Sequence, residues 1–450
     1  MLGDRPKLIT ETIRRLLRRG AIPHLRKILD KTHAADLSVV FRSMPPADRK
    51  VLFNLIDDPA KKGVILSELD EDDLLRLIEQ IPVDEIVGIL DRMPTDDVVD
   101  LIGRLPHDRA EEILRKMPRK GSLEVEGLLR YDDETAGGIM VPDYVAVRPE
   151  NTASEVIQSL QKEHIDVEMP FYLYVVDENG RLVGVSSLRQ LVMVPPETPV
   201  KDFMSTDVLS VRADMDQEEV ARIVARYDFL AVPVVDESDK LVGIVTVDDV
   251  IDIIREEATE DFLKMAGVGE EFVETQSVLT STRIRLPWLF ASCLGGVFAF
   301  FIIGRFEPVL QQVTYLAAFI PVIMGMGGNI GTQSSTIVVR GLATGRIQVR
   351  DLGKVISKEL AVGLILGAFY GAVVGSVAHL SYGGWALGVS VSLAVLSSMA
   401  IAALVGSMFP MIFARLNIDP AVATGPFVTT AIDILSVFFY FQIATTLLGL

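Results

Sequence analysis

Asp433 is the only charged side chain between Pro420 and Leu450, in the stretch PAVATGPFVTTAIDILSVFFYFQIATTLLGL. A charge near the middle of a membrane helix costs ~2.5–3.5 kcal/mol on insertion scales. Such residues usually face a bundle interior or a water-filled path. The bland alternative is a carboxylate that snorkels to the headgroups, but Asp has too short a stem and apolar sequence flanks it on both sides. Thr429, four residues earlier, shares its helical face and adds a hydroxyl oxygen. Pro426 has no N–H, so the carbonyl of Val422 loses its helical partner there. A second chemical stretch, GMGGNIGTQSS from Gly325, holds four glycines in seven residues, with Asn329 and Gln333 on one face. It predicts an interrupted helix with free carbonyls, tolerated in a membrane only when buried or lining a cavity. Close helix packing is the other use of such glycines. Carbonyls, amide oxygens and carboxylates are hard ligands, suited to Mg2+ or Ca2+ rather than a soft metal. Glu359, among Lys354 and Lys358, reads as a salt-bridged boundary residue, with support of an ion site as its alternative.

Other chemistries lack their residues. The five histidines form no HExxH or His-Cys cluster, and no GxxxxGK[ST] phosphate loop occurs, so no enzyme activity is expected. Cys293 is the single cysteine, so no disulfide framework exists and packing is its expected role. Nothing basic lies mid-membrane to accept an anion.

These residues need a scaffold, and the charge distribution outlines it. Residues 1–285 carry a net charge of −20 and the remainder +2. The acidic part should repel nucleic acid and attract cations, though an acidic surface also serves solubility. The N-terminus has no apolar signal-peptide core; Arg14, Arg15, Arg18 and Arg19 read as the basic face of a first helix. Five apolar segments, about 20 residues or longer, run roughly over 286–304, 313–339, 356–380, 385–413 and 420–450. Lys and Arg concentrate before the first, between the second and third, and at Arg415. The positive-inside rule then predicts a multi-pass protein with a cytoplasmic N-terminus and an extracytoplasmic C-terminus.

Residues 33–117 repeat a unit of about a dozen residues, clearest in PVDEIVGILDRM, PTDDVVDLIGRL and PHDRAEEILRKM from Pro82, Pro94 and Pro106. Proline, then acids, then apolar residues at helical spacing are helix-start signals. Units this short must stack on neighbours, which predicts a small all-helical superhelix. A second repeat pairs YLYVVDENGRLVGVSSLRQLV from Tyr172 with AVPVVDESDKLVGIVTVDDVI from Ala231. Each copy reads as strand, helix, β-hairpin and helix. Through VVDExxxLVG this resembles a tandem pair of CBS domains, which commonly dimerise and bind adenine nucleotides. From Asp248 a charged helix continues the chain, with Asp249, Asp252, Glu256 and Glu260 on one face and Ile251, Ile254, Ala258 and Phe262 on another. Such an arm is well placed to move with a regulatory domain and obstruct a membrane domain.

The arrangement as a whole resembles the MgtE family of magnesium transporters, on PVIMGMGGNIGTQS in the second span and DPAVATGPFVTTAID in the fifth. The resemblance implies a multidomain membrane protein: an all-α superhelical N domain (1–129), an α/β tandem CBS pair (130–200 and 201–255), a connecting helix and linker (256–285), and five transmembrane helices (286–450). It implies a homodimeric, Mg2+-selective channel of the cell (inner) membrane, with ATP or another adenine nucleotide as a candidate ligand of the CBS pair. It assigns pore Mg2+ to Asp433, with Gly328, Asn329 and Gly331 from the glycine motif beside Thr429. It assigns regulatory Mg2+ to Asp248, Asp249, Asp252, Glu256, Glu257 and Asp419, and from the helical domain to Asp91, Asp96 and Asp97. Cytosolic Mg2+ bridging these acids would hold the channel closed. A channel for another divalent cation such as Co2+ or Mn2+, and a membrane-anchored Mg2+ or nucleotide sensor that transports nothing, are the competing expectations.

Overall fold

The computed structural model describes residues 5–162, 171–268 and 278–449, in two compact units, Met1–Arg255 and Glu256–Leu450. The part of the expected 256–285 linker at 269–277 lies outside the described residues.

The first unit opens with ten short helices: α1 (Arg5–Arg18), α2 (Ile22–Lys31), α3 (Ala34–Arg42), α4 (Pro46–Asn54), α5 (Pro59–Ser67), α6 (Glu71–Ile78), α7 (Val83–Leu90), α8 (Thr95–Gly103), α9 (His107–Lys116) and α10 (Arg119–Leu128). The dozen-residue repeat is one helix per copy. Pro82, Pro94 and Pro106 each cap a helix, at φ of −59°, −53° and −56°, close to where the proline ring fixes φ. The acids of each first turn then meet the positive end of the helix dipole. Helices of eight to ten residues are marginal alone; here Ile86, Ile89, Val98, Leu101, Ile102 and Ile113 share one buried core. A buried Arg49–Asp73 ion pair adds a tie from α4 to α6, and Arg49 Nε also donates to the Phe41 carbonyl at 2.8 Å.

Two copies of one α/β motif come next. The first is β1 (Ala146–Val147), α11 (Ala153–Lys162), β2 (Tyr172–Val176), β3 (Leu182–Ser187) and α12 (Leu188–Met193). The second is β4 (Val211–Arg212), α13 (Gln217–Tyr227), β5 (Ala231–Val235), β6 (Leu241–Thr246) and α14 (Val247–Met265). In each sheet the first strand is parallel to the second and the second antiparallel to the third, with Tyr174 opposite Val185 and Val234 opposite Gly243. The recurring VVD explains the hairpins. The Asp177 carboxylate accepts from the Asn179 and Arg181 N–H groups, and Asp236 accepts from Ser238 and Lys240, all at 2.8–2.9 Å. A side chain that binds backbone two residues ahead imposes the turn.

The second unit holds the end of α14, then α15 (Val278–Arg305), α16 (Glu307–Gln312), a 3-10 segment Thr314–Phe319, α17 (Ile320–Ala343), α18 (Leu352–Tyr382), α19 (Trp385–Arg415), a 3-10 turn Pro420–Ala423, and α20 (Pro426–Leu448). Five helices among the described residues are long and apolar enough to cross a membrane, matching the five expected spans. The most buried of them is α19, and its partner α18 presents Gly363, Gly367, Gly371 and Gly375, one glycine every four residues. A Cβ on Gly367 would meet the Leu396 backbone at 2.9 Å and one on Gly371 the Ser392 carbonyl at 2.6 Å. Small residues in this spacing let two backbones approach where no hydrophobic driving force exists between helices. Cys293 is not in packing as expected: it is exposed on α15, a helix that turns most of its length outward.

Candidate functional site

The fifth span is broken where its sequence predicts. Asp419 caps the 3-10 turn by accepting from the Ala421 N–H at 2.7 Å. Gly425 then leaves helical geometry (φ −71°, ψ −127°), and α20 restarts with Pro426 in its first turn. The Thr429 hydroxyl donates back to the Gly425 and Pro426 carbonyls, 3.3 Å away. One turn on, Asp433 is half-buried with no hydrogen-bond or ion-pair partner among the described residues. Ile432 and Ser436, on the adjoining face, are buried against α17 and α19. Packing therefore fixes the helix and holds out an uncommitted carboxylate.

The second span departs from expectation. Helix α17 is continuous through GMGGNIGTQSS, with Pro321 in its first turn and a 3-10 segment before it. No carbonyls are freed by a break within it. The glycines are instead a contact surface. A Cβ on Gly327 would stand 2.5 Å from Ser398 Oγ, and one on Gly331 would stand 2.1 Å from Ile432 Cδ1. Gly331, expected as an ion ligand, is thus a packing glycine of the α17–α20 contact. Gly328 differs, since a Cβ there meets nothing within 4 Å. Asn329 and Gln333 are exposed. This separates two roles by experiment. Gly331→Val should lower stability in detergent by about 1–3 kcal/mol through overpacking, read as a lower thermal midpoint. Gly328→Val should leave that midpoint near the parent's, so any loss of flux in it reports on an ion path rather than on folding.

Glu359 is salt-bridged as expected and is also buried. It is 5% exposed and accepts from the Ser334 hydroxyl at 2.9 Å, joining α18 to α17. The exposed Lys358 ammonium lies 3.8 Å from it. Glu359→Leu should destabilise the bundle more than Glu359→Gln, because the amide oxygen still accepts from Ser334 while leucine strands that buried hydroxyl. Thermal unfolding of the two variants checks this.

The end of α14 supplies a cation beside the fifth span. Lys264 Nζ lies 2.7 Å from Asp419 and also bonds Glu260. Burial lowers the lysine pKa, but hydrogen bonds to Asp419 and Glu260 raise it further, so it stays charged. Neighbouring Asp261 is pushed up by burial and then by Asp419. Asp419, expected among regulatory Mg2+ ligands, is therefore already held by an ammonium.

In the first unit, Asp96 and Asp97 open α8, and Asp248 and Asp249 open α14. Burial pushes Asp96 up to about 6, with repulsion from Asp100 and Asp248 added. Burial pushes Asp97 up to about 7, with repulsion from Asp96, Asp100, Asp249 and Asp248. Asp249 also rises to about 7 by burial, against a hydrogen bond from the Thr246 hydroxyl and with repulsion from Asp96 and Asp248. Asp96 Oδ1 is buried without a hydrogen-bond partner. Asp91 and Asp252 are exposed; Glu256 and Glu257 belong to the second unit. Among the described residues no three His, Cys, Asp or Glu side chains converge closely enough to hold a metal ion.

Family models match along the chain: the MgtE divalent cation transporter over residues 320–443, the MgtE intracellular N domain over 32–134, and CBS domains over 136–199 and 200–256. The magnesium transporter MgtE of Thermus thermophilus is 44% identical over 334 residues, 72% of each chain. That of Bacillus subtilis is 36% identical over 432 residues, 96% of this chain and 95% of its own. The chain belongs to the MgtE family. Two solved structures are similar to just over half of the chain. One, the cytosolic domain of the Mg2+ channel MgtE in complex with ATP, is 38% identical with a TM-score of 0.52, covering 54% of this chain and 99% of its own. The other, the soluble part of a magnesium transporter, is 31% identical with a TM-score of 0.50, covering 56% and 99%. The MgtE transporter match spans α17 to α20 and so contains Asn329, Thr429 and Asp433, while the N-domain match contains Asp91, Asp96 and Asp97.

Proposed function

We propose that this chain is a Mg2+-selective channel of the cell membrane, closed when cytosolic Mg2+ binds its acidic soluble part. The observation that carries the reading is Asp433, a carboxylate with no hydrogen-bond or ion-pair partner among the described residues, within the last span of a chain that matches a divalent cation transporter family. A lone carboxylate cannot neutralise a divalent ion. Two copies of α20 around one axis would bring two, and that supports a homodimer as the working assembly. Mg2+ dehydrates reluctantly and is usually bound through one or two carboxylates with waters retained. Asp433 from each copy, with the Thr429 hydroxyl and the Asn329 amide as hydrogen-bond partners for those waters, would suit a hydrated ion.

The positive-inside charge pattern supports a cytoplasmic N-terminus and an extracytoplasmic C-terminus. The domain boundaries 1–129, 130–200, 201–255, 256–285 and 286–450 belong to the same proposal. So does the regulatory set of Asp96, Asp97, Asp248 and Asp249, with Asp91, Asp252, Glu256, Glu257 and Asp419 as weaker members. ATP or another adenine nucleotide at the CBS pair is supported by the likeness to an ATP-bound cytosolic domain.

Flux into liposomes holding the purified protein, compared across Mg2+, Ca2+, Mn2+ and Co2+, tests the reading. Preferred Mg2+ entry is the expected result. Equal or greater Mn2+ or Co2+ flux would favour a broader divalent channel, and no flux of any cation would leave a sensor.

A further inference from the structure

The first 31 residues precede the matched N domain and are opposite in charge to the rest of the first unit. They hold nine Lys/Arg against three Asp/Glu, whereas residues 32–255 hold 24 against 46. The two helices of this segment sort their residues cleanly. Ile13 of α1 and Leu25 and Leu29 of α2 are buried in the core of the helical domain, with Ile9, Leu16, Leu17 and Ile28 packed against it. Arg14, Arg15, Arg18, Arg19, Arg26, Lys27 and Lys31 are exposed. Two of these have a tie within the domain: Arg14 donates to the Ser43 carbonyl, and Arg26 lies 3.7 Å from Asp57. A cleft of about 410 Å³ runs beside Arg14, Leu17, Arg18 and Pro45. Asp48 also lines it, which makes it a poor pocket for a single anion. The positive charge works as a spread surface.

We propose that this α1–α2 face docks electrostatically on anionic phospholipid headgroups of the bilayer in which the same chain is anchored. Charge complementarity selects an anionic surface, since clustered Lys and Arg are drawn to acidic lipid within a Debye length. The tether selects the bilayer: five candidate spans hold the segment at high effective concentration beside its own membrane. The apolar residues of α1 and α2 are committed to the core, apart from Leu8 at 64% and Ile22 at 40% exposure. Binding is therefore peripheral and salt-sensitive, without insertion into the acyl chains. This inference needs the chain to be membrane-anchored and is independent of which ion it conducts.

Hydrogen exchange of the full-length protein in lipid nanodiscs tests it, read on peptides covering residues 7–31 at fixed Mg2+. Replacing about a third of the phosphatidylcholine by phosphatidylglycerol should slow exchange there by about fivefold. The slowing should vanish in about 0.5 M salt and in an Arg15→Gln/Arg18→Gln/Arg19→Gln variant. All three side chains are exposed, so the variant's thermal midpoint should match the parent's and show that it folds. Exchange unaffected by phosphatidylglycerol would overturn the proposal. Equal slowing in lipid-free detergent would overturn it in favour of acidic protein, and equal slowing by inorganic phosphate over phosphatidylcholine would overturn it in favour of a free anion.

Discussion

Asp433→Ala should cut Mg2+ flux by at least about tenfold while the protein still assembles and keeps or raises its thermal midpoint. Both halves rest on one fact: the carboxylate is half-buried in a membrane helix with no partner among the described residues. Removing a charge from such a place relieves a cost of ~2.5–3.5 kcal/mol on insertion scales. Removing a buried partner of an ion pair would do the reverse. Packing predicts no loss either, because the buried faces of α20 rest on Ile432, Ser436, Val437 and Tyr440 rather than on Asp433. Asp433→Asn keeps the shape and loses the charge, so it should match the alanine variant in flux if charge is what the ion meets. Uptake by purified variants in liposomes, with a Mg2+-sensitive dye inside, reads the effect. Near-parental flux through Asp433→Ala would remove the pore assignment.

The same residue shows what sequence makes legible. A charge in an apolar run, a proline that breaks a helix and a repeated VVD hairpin each act locally, so Asp433, the Gly425–Pro426 break and the paired α/β motif can be read without coordinates. The glycines of α17 cannot, because their meaning lies in a neighbour. Gly327 and Gly331 face Ser398, Ser436 and Ile432, residues about 70 to 110 positions away whose approach no local rule encodes. Four glycines in seven residues suggest a broken helix, yet the structure holds a continuous one pressed against two others. The glycine stripe of α18 has the opposite fate, its fourfold spacing plain in the sequence but its use visible only against α19. Glu359 is legible only in part for a related reason: its neighbour Lys358 announces an ion pair, while its partner Ser334 comes from another helix. Lys264 gives no local sign of being the counter-ion of Asp419, because the two are 155 residues apart and bond at 2.7 Å.

Asp97→Asn/Asp249→Asn should make the soluble part protease-resistant without Mg2+ and flatten its response to the ion. With the helical domain against the CBS pair, Asp97 and Asp249 are held up to about 7, burial first and then mutual repulsion with their acidic neighbours. Apart, each would return toward the ordinary Asp value of about 3.9. The assembled arrangement therefore binds more protons than the separated one between about pH 4 and 7. It gains as pH falls through that window and loses as pH rises past the folded values. In Mg2+-free buffer the parent should resist proteolysis better at about pH 5.5 than at about pH 8. At the higher pH millimolar Mg2+ should restore the resistance, because it supplies the positive charge that protons no longer bring. In the double variant both dependences should shrink together, since one amide replaces each carboxylate on which proton and metal compete. Deleting residues 1–129 takes away the α8 half of the acidic group and should leave flux less inhibited by internal Mg2+. Resistance that ignores pH in the parent would show that these carboxylates do not oppose assembly. Inhibition unchanged by the deletion would move the sensor to the CBS pair and α14 alone.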